Sequence, residues 1–179
     1  MAAHYAYWAE AALAHFEEGC WLRQEALHSE REICVHYARS ARAALNALLV
    51  SCSMAPSQGS TNLLSAVVIL RQVGHLWGRA ERKALSHARL LSRVLILDLA
   101  DAGADYVVRD LFGQDDVVQC EVAARFFLGI VCKRFLGLDA EQTQLRFDPL
   151  RQPPMTDTQL WIRRRIHLTK SKRPPHPQP

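Results

Sequence analysis

Several patterns are missing from this sequence, and each absence narrows what the chain can be. Stretches in which β-branched and polar residues alternate are nearly absent, which argues against a β-sheet protein. The longest apolar runs, such as Leu63–Leu70, are far shorter than the roughly 20 residues that a membrane-spanning helix needs. The N-terminal residues carry no basic region ahead of an apolar one, so we expect no signal peptide. These absences predict a protein of the cytoplasm or the nucleus.

Motifs of well-known catalytic and metal sites are also missing. The sequence contains no glycine-rich phosphate loop, no His-Glu-x-x-His and no Gly-x-Ser-x-Gly. Its five cysteines show no Cys-x-x-Cys pair and no regular spacing, so we expect small buried apolar side chains in a reducing compartment. We therefore expect no metal and no cofactor, and the chain is more readily a binding protein than an enzyme.

What the sequence does contain is helical periodicity. Apolar residues recur every three or four positions, and Ala, Leu and Arg dominate. Ser29 and Glu32 form a capping box ahead of the Ala-rich stretch Cys34–Leu48, which we expect to be the central helix. Gly19 and Gly137 are expected to end the helices before them. The predicted helices cover residues 3–18, 20–28 (a short piece), 29–51, 63–73, 79–100 and 117–136.

The last predicted helix differs from the others because it is apolar nearly all round, from Val118 through Val122 to Phe135. A helix of this kind is either buried in a bundle or covered by a partner. Together these patterns predict an all-α protein, an antiparallel bundle of four or five helices over residues 1–147.

Residues 148–179 differ in composition from the body. Seven of the eight prolines lie in 149–179, which predicts a disordered tail rather than a domain. This tail holds seven basic residues against two acidic ones, whereas residues 1–147 hold 15 basic and 16 acidic residues. The formal net charge of +4 is therefore a property of the tail, and the high pI does not indicate a strongly basic body.

Two stretches stand out in the order of the elements: the Ala-rich second helix, Cys34–Leu49, and Tyr106-Val107-Val108-Arg109-Asp110 ahead of the last helix. With this order, the chain resembles the HEPN family. In the family this second segment is often Tyr-x-x-x-Arg-Tyr-Pro-Asp, and the Tyr-Pro is missing here. The resemblance covers residues 3–137 and implies an antiparallel helical bundle that often dimerises. Some relatives bind nucleotides, and others are RNases that use an Arg-x(4–6)-His motif.

That motif makes Arg31 and His36 the candidate catalytic pair, since both lie on or beside the central helix. An RNase needs an arginine to bind phosphate and a histidine to move a proton, both facing one cleft. Three Arg-x(4–6)-His matches occur, all with four residues between Arg and His, and composition alone predicts about as many for the three allowed spacings together. Five residues turn a helix by about 500°, which leaves the two side chains about 140° apart. The pair would then need a distorted helix or a partner subunit.

Two further groups of residues are candidate binding sites. Arg109 and Asp110 lie just before the last helix and are either a ligand-binding pair or a local ion pair that fixes the link. In the tail, basic residues are interleaved with Trp161 and other apolar groups. That tail either binds nucleic acid, an acidic membrane or an import receptor, or is a solubilising segment. Its basic residues are Arg163, Arg164, Arg165, Lys170, Lys172 and Arg173.

These observations lead to a ranked set of functions. The first is an interaction module that self-associates through the last helix as a homodimer and binds a nucleotide or another anionic ligand. The second is a HEPN-type RNase with Arg31 and His36. The third is a scaffold like the tetratricopeptide repeats, although no period near 34 residues recurs. Nucleic acid is a further expected partner, through the basic tail.

Overall fold

The computed structural model describes residues 2–24, 29–56, 62–72, 78–101, 112–138 and Gln142. Within these ranges the chain is all-α and forms a bundle of five helices, as the periodicity predicts. The predicted boundary between body and tail, at residues 147 and 148, lies outside the described residues. The helices are α1 (Ala2–Gln24), α2 (Glu30–Ser51), α3 (Asn62–Gln72), α4 (Gly78–Asp101) and α5 (Gln114–Phe135).

Helix α2 begins where the capping box predicts. The Ser29 hydroxyl accepts a hydrogen bond of 3.3 Å from the backbone N–H of Glu32, which satisfies one of the free donors of the first turn. Small residues along the helix, such as Ala38, Ala41 and Ala44, are fully buried. They let neighbouring helices approach closely, so α2 is the centre of the bundle, as predicted.

The prediction that Gly19 ends the first helix is wrong. Helix α1 continues without interruption to Gln24, and Gly19 lies inside it. A Cβ at this position would come within 2.8 Å of the Tyr37 ring, so the glycine serves the close packing of α1 on α2. The expected separate helix over residues 20–28 is therefore the end of α1 up to Gln24, and residues 25–28 are not described.

Contacts between side chains fix the directions of the outer helices. Ser40 Oγ of α2 donates a hydrogen bond of 2.7 Å to the Ala12 carbonyl, near the middle of α1. The Tyr5 ring, at the start of α1, lies 5.0 Å from the Phe135 ring at the end of α5. Helix α1 thus runs antiparallel to α5. At the other end, Gln114 of α5 donates a 3.1 Å hydrogen bond to Glu30 of α2, and these two helices run parallel.

The ends of α5 follow the sequence signals. Asp116 accepts a 3.0 Å hydrogen bond from the Gly113 N–H, and acidic residues occupy the first turn, where they favour the helix dipole. Gly137 has a positive φ of 63° and the helix ends just before it, as predicted. Among the described helices, none is long and apolar enough to cross a membrane.

Candidate functional site

Helix α5 presents two different sides. Its buried residues recur at helical spacing and pack on the core: Val117, Cys120, Ala123, Ala124, Phe127, Leu128, Val131 and Cys132. On the opposite side, Val118 and Val122 are 44% and 50% exposed. They lie one turn apart, so their side chains form one continuous apolar surface. Large apolar side chains with such exposure on a packed helix mark a surface that a partner could cover.

The same side of α5 continues beyond the two valines in both directions. We define the outer face of α5 by six residues at three- and four-residue spacing, of which Val118 and Val122 are two. Phe126 is half-buried, while an added Cβ on Gly129 would meet nothing within 4 Å. The outer face thus has apolar groups in its middle and one charge of each sign at its ends. Its members are Asp115, Val118, Val122, Phe126, Gly129 and Lys133.

An ion-pair cluster on another side of α5 fixes how the helix is rotated. Glu121 accepts hydrogen bonds of 2.6 and 2.9 Å from Arg125, one turn later, and is also paired with Arg23 of α1. The Arg125 guanidinium lies over the Phe16 ring, 5.2 Å from its centroid. These contacts bind α5 to α1 on one side, and Val118 and Val122 are thereby directed away from the bundle.

His87 of α4 borders the outer face of α5. Its ring lies 5.2 Å from the Phe126 ring, and its Nε2 is buried without a hydrogen bond to a described residue. Burial, together with the nearby charge of Lys83, lowers the pKa of His87 below its ordinary value of 6.5. The histidine is therefore held in its neutral form against an aromatic surface.

The candidate catalytic residues Arg31 and His36 contact different helices. The Arg31 guanidinium donates a long hydrogen bond of 3.5 Å to the Leu97 carbonyl of α4. His36 is only 1% exposed, and its ring lies 5.7 Å from that of His15 on α1. The two side chains thus point toward opposite neighbours of α2, as their 140° separation predicts. Within one chain, a phosphate bound at Arg31 would therefore lie on a different side of α2 from the imidazole of His36.

The other predicted site residues are not described. Arg109 and Asp110, the candidate ligand-binding pair, lie outside the described residues, and so does the whole basic tail. The tail positions concerned are Arg163, Arg164, Arg165, Lys170, Lys172 and Arg173. Their roles stay predictions.

The cysteines are placed as their sequence context predicts. Cys20, Cys34, Cys120 and Cys132 are buried, and Cys52 is partly buried. The pKa of Cys120 is raised, mainly by a hydrogen bond with Cys34 and next by burial, so this thiol stays protonated. Within the described ranges, no group of three or more His, Cys, Asp or Glu side chains is arranged to hold a metal ion.

The sequence predicted that α5 is apolar all round, but not which of its residues stay exposed. The exposure depends on how the helix is rotated about its axis, and the contacts of Glu121 with Arg23 and Arg125 fix that rotation. Arg23 and Glu121 are 98 residues apart in the sequence. No local pattern reports such a contact. His87 was missed for the same reason, because its contact with Phe126 joins two helices.

Comparisons with protein-family models, with curated proteins and with solved structures found no match to this chain. The resemblance to the HEPN family therefore stays a prediction.

Proposed function

We propose that this chain is a non-enzymatic helical interaction module that self-associates through the outer face of α5. The observation that carries the proposal is the pair of exposed valines, Val118 and Val122, on a helix whose other side is fully packed. In a monomer these side chains would leave apolar area in water, which a second copy would bury.

The order of residues along the outer face supports a two-fold antiparallel pairing. Asp115 and Lys133 lie nine positions before and after Ala124, while Val122 and Phe126 lie two positions before and after it. A two-fold axis that crosses the outer face at the level of Ala124 would therefore set Asp115 of one copy against Lys133 of the other, twice. It would also place each Val122 against the Phe126 of the second copy. Such self-complementarity is what a symmetric dimer interface requires.

The glycine of the outer face fits the same arrangement. Gly129 would face the region of Val118 in the second copy, and its missing side chain would let the two helices approach closely. Because only a few apolar side chains take part, the interface is small, and we expect a weak, concentration-dependent dimer. The alternative is a parallel pairing, which would place Asp115 against Asp115. Repulsion between these like charges disfavours it.

The test is sedimentation equilibrium from about 1 to 200 μM, a range that spans weak protein dimers. The wild-type chain should change from monomer toward dimer, and Val122→Asp should remain monomeric throughout. Val68→Asp is the matched control, since Val68 is a valine of α3 with 42% exposure, close to that of Val122. This control should associate as the wild type does.

A charge exchange tests the pairing geometry separately. Lys133→Asp should weaken association by setting two like charges against each other, and Asp115→Lys combined with Lys133→Asp should restore it. A wild-type chain that stays monomeric at the highest concentration would refute self-association. If the double variant does not restore association while Val122→Asp still disrupts the dimer, the antiparallel geometry is refuted but self-association is not.

No described contact supports the RNase alternative in the same way, since Arg31 and His36 diverge. It is tested by His36→Ala, which would remove RNA cleavage from an enzyme that uses this histidine.

A further inference from the structure

Helix α4 carries an exposed strip of positive charge, although the net charge of residues 1–147 is close to zero. We define the basic face of α4 by its five exposed arginine and lysine side chains. Ser86, within the same strip, is also exposed and uncharged. The five basic residues are Arg79, Arg82, Lys83, Arg89 and Arg93.

These five residues share one side of the helix. At 100° per residue, they fall within a sector of about 120°, and from Arg79 to Arg93 the strip is about 21 Å long. The opposite side of α4 is buried against the bundle through Ala84, Ala88 and Leu91. The rigid packing of that side holds the charges in a straight row.

The basic face is not neutralised within the described part of the chain. Between residues 78 and 97 the single acidic residue is Glu81, and it is paired with Arg71 of α3 at 3.1 Å. No ion pair or hydrogen bond joins the five basic side chains to any described residue. Five like charges on adjacent turns repel one another, so the row has an electrostatic cost that an anionic partner would relieve.

The chemistry of the row decides among anionic partners. A membrane-binding helix needs bulky apolar side chains that enter the lipid beside its basic groups, and a single-strand binder needs aromatic rings on which bases stack. The basic face has no aromatic ring, and the leucine within its sector, Leu90, is partly buried against the core. Ile96, an exposed apolar residue of α4, lies beyond its end. A nucleic-acid duplex presents about one phosphate charge per 1.7 Å of its length and needs neither kind of anchor.

We propose that the basic face of α4 binds the phosphate backbone of a nucleic-acid duplex, independently of base sequence. Arginine and lysine side chains along about 21 Å of helix would contact successive phosphates and release their counterions. This site is distinct from the basic tail and does not depend on self-association through α5.

The experiment measures binding of the full chain to a fluorescent DNA duplex of about 20 base pairs at salt concentrations from about 50 to 200 mM. The test variant is Arg82→Gln with Arg89→Gln. The control, Arg23→Gln with Arg134→Gln, removes the same charge from exposed positions outside the basic face, and Glu121 keeps its contact with Arg125. The test variant should bind at least about tenfold more weakly, and its slope of log K against log salt should be smaller by about 2. The control should stay within about twofold of the wild type.

Four further measurements make the result decisive. Arg82→Lys with Arg89→Lys keeps both charges and should restore binding, which separates charge from folding; thermal melting checks that each variant is folded. Equal losses in test and control variants would refute a specific basic face. A second double variant, Arg163→Gln with Arg165→Gln, removes two charges from the tail. If only this variant loses duplex binding, the binding belongs to the tail and the proposal is overturned. Binding to phosphatidylserine vesicles without binding to the duplex would overturn it as well.

Discussion

Helices α2 and α5 have the same length, 22 residues each, and run parallel through one bundle, yet they differ in how much of each is buried. Fifteen residues of α2 are buried, against eight of α5. Helix α2 is surrounded by the other helices, so even polar groups such as His36 and Asn46 are enclosed. Helix α5 packs with one side and keeps the other exposed. The helix that organises the fold therefore has little surface for a partner, and the helix at the edge has much more.

The first way to test this difference is to remove apolar atoms from each helix. Leu45→Ala in α2 should lower the free energy of unfolding by about 3 kcal/mol, since Leu45 is fully buried and its loss leaves a cavity. Val122→Ala in α5 should change it by less than about 0.5 kcal/mol, because half of that side chain is already in water. Urea denaturation of the monomer at low concentration measures both. Similar losses at the two positions would contradict the assignment of α2 as the centre.

Close packing of α1 on α2 gives a smaller effect. Gly19→Ala would normally favour a helix, but the new Cβ would lie 2.8 Å from Cε1 of the fully buried Tyr37 ring. We expect a net loss of about 1–2 kcal/mol in the free energy of unfolding. In a Tyr37→Leu background the added methyl group should cost less, and thermal unfolding of the four variants gives the coupling. A stabilising Gly19→Ala would show that the helices are farther apart.

Local sequence signals predicted some features of these helices and not others. The capping box at Ser29, the small residues of α2 and the glycine after α5 are local signals, and each predicted its element correctly. Gly19 misled because a glycine that ends a helix and one that admits a neighbouring ring look the same in sequence; only the position of Tyr37 distinguishes them. For the same reason the exposure of Val118 and Val122 could not be predicted, since it depends on contacts between distant helices.

The smallest expected effect concerns His87, where α4 meets the outer face of α5. Its pKa is lowered in the folded chain, so the folded state binds fewer protons at this site than the unfolded state. Stability from this group is therefore complete above pH 6.5 and decreases as the pH falls below that value. His87→Gln should remove this part of the pH dependence, leaving a smaller difference between the unfolding free energies at about pH 7.5 and 5.5.

Self-association should amplify this effect. A second copy that covers Phe126 would bury the adjacent His87 further and favour its neutral form still more strongly. The dimer would then bind fewer protons than two monomers, so acidification should weaken association as well as folding. Sedimentation at about pH 7.5 and 5.5 should show a pH-dependent dimer for the wild type and a less pH-dependent one for His87→Gln. If both proteins dimerise equally at the two pH values, the interface does not reach Phe126 and must lie elsewhere.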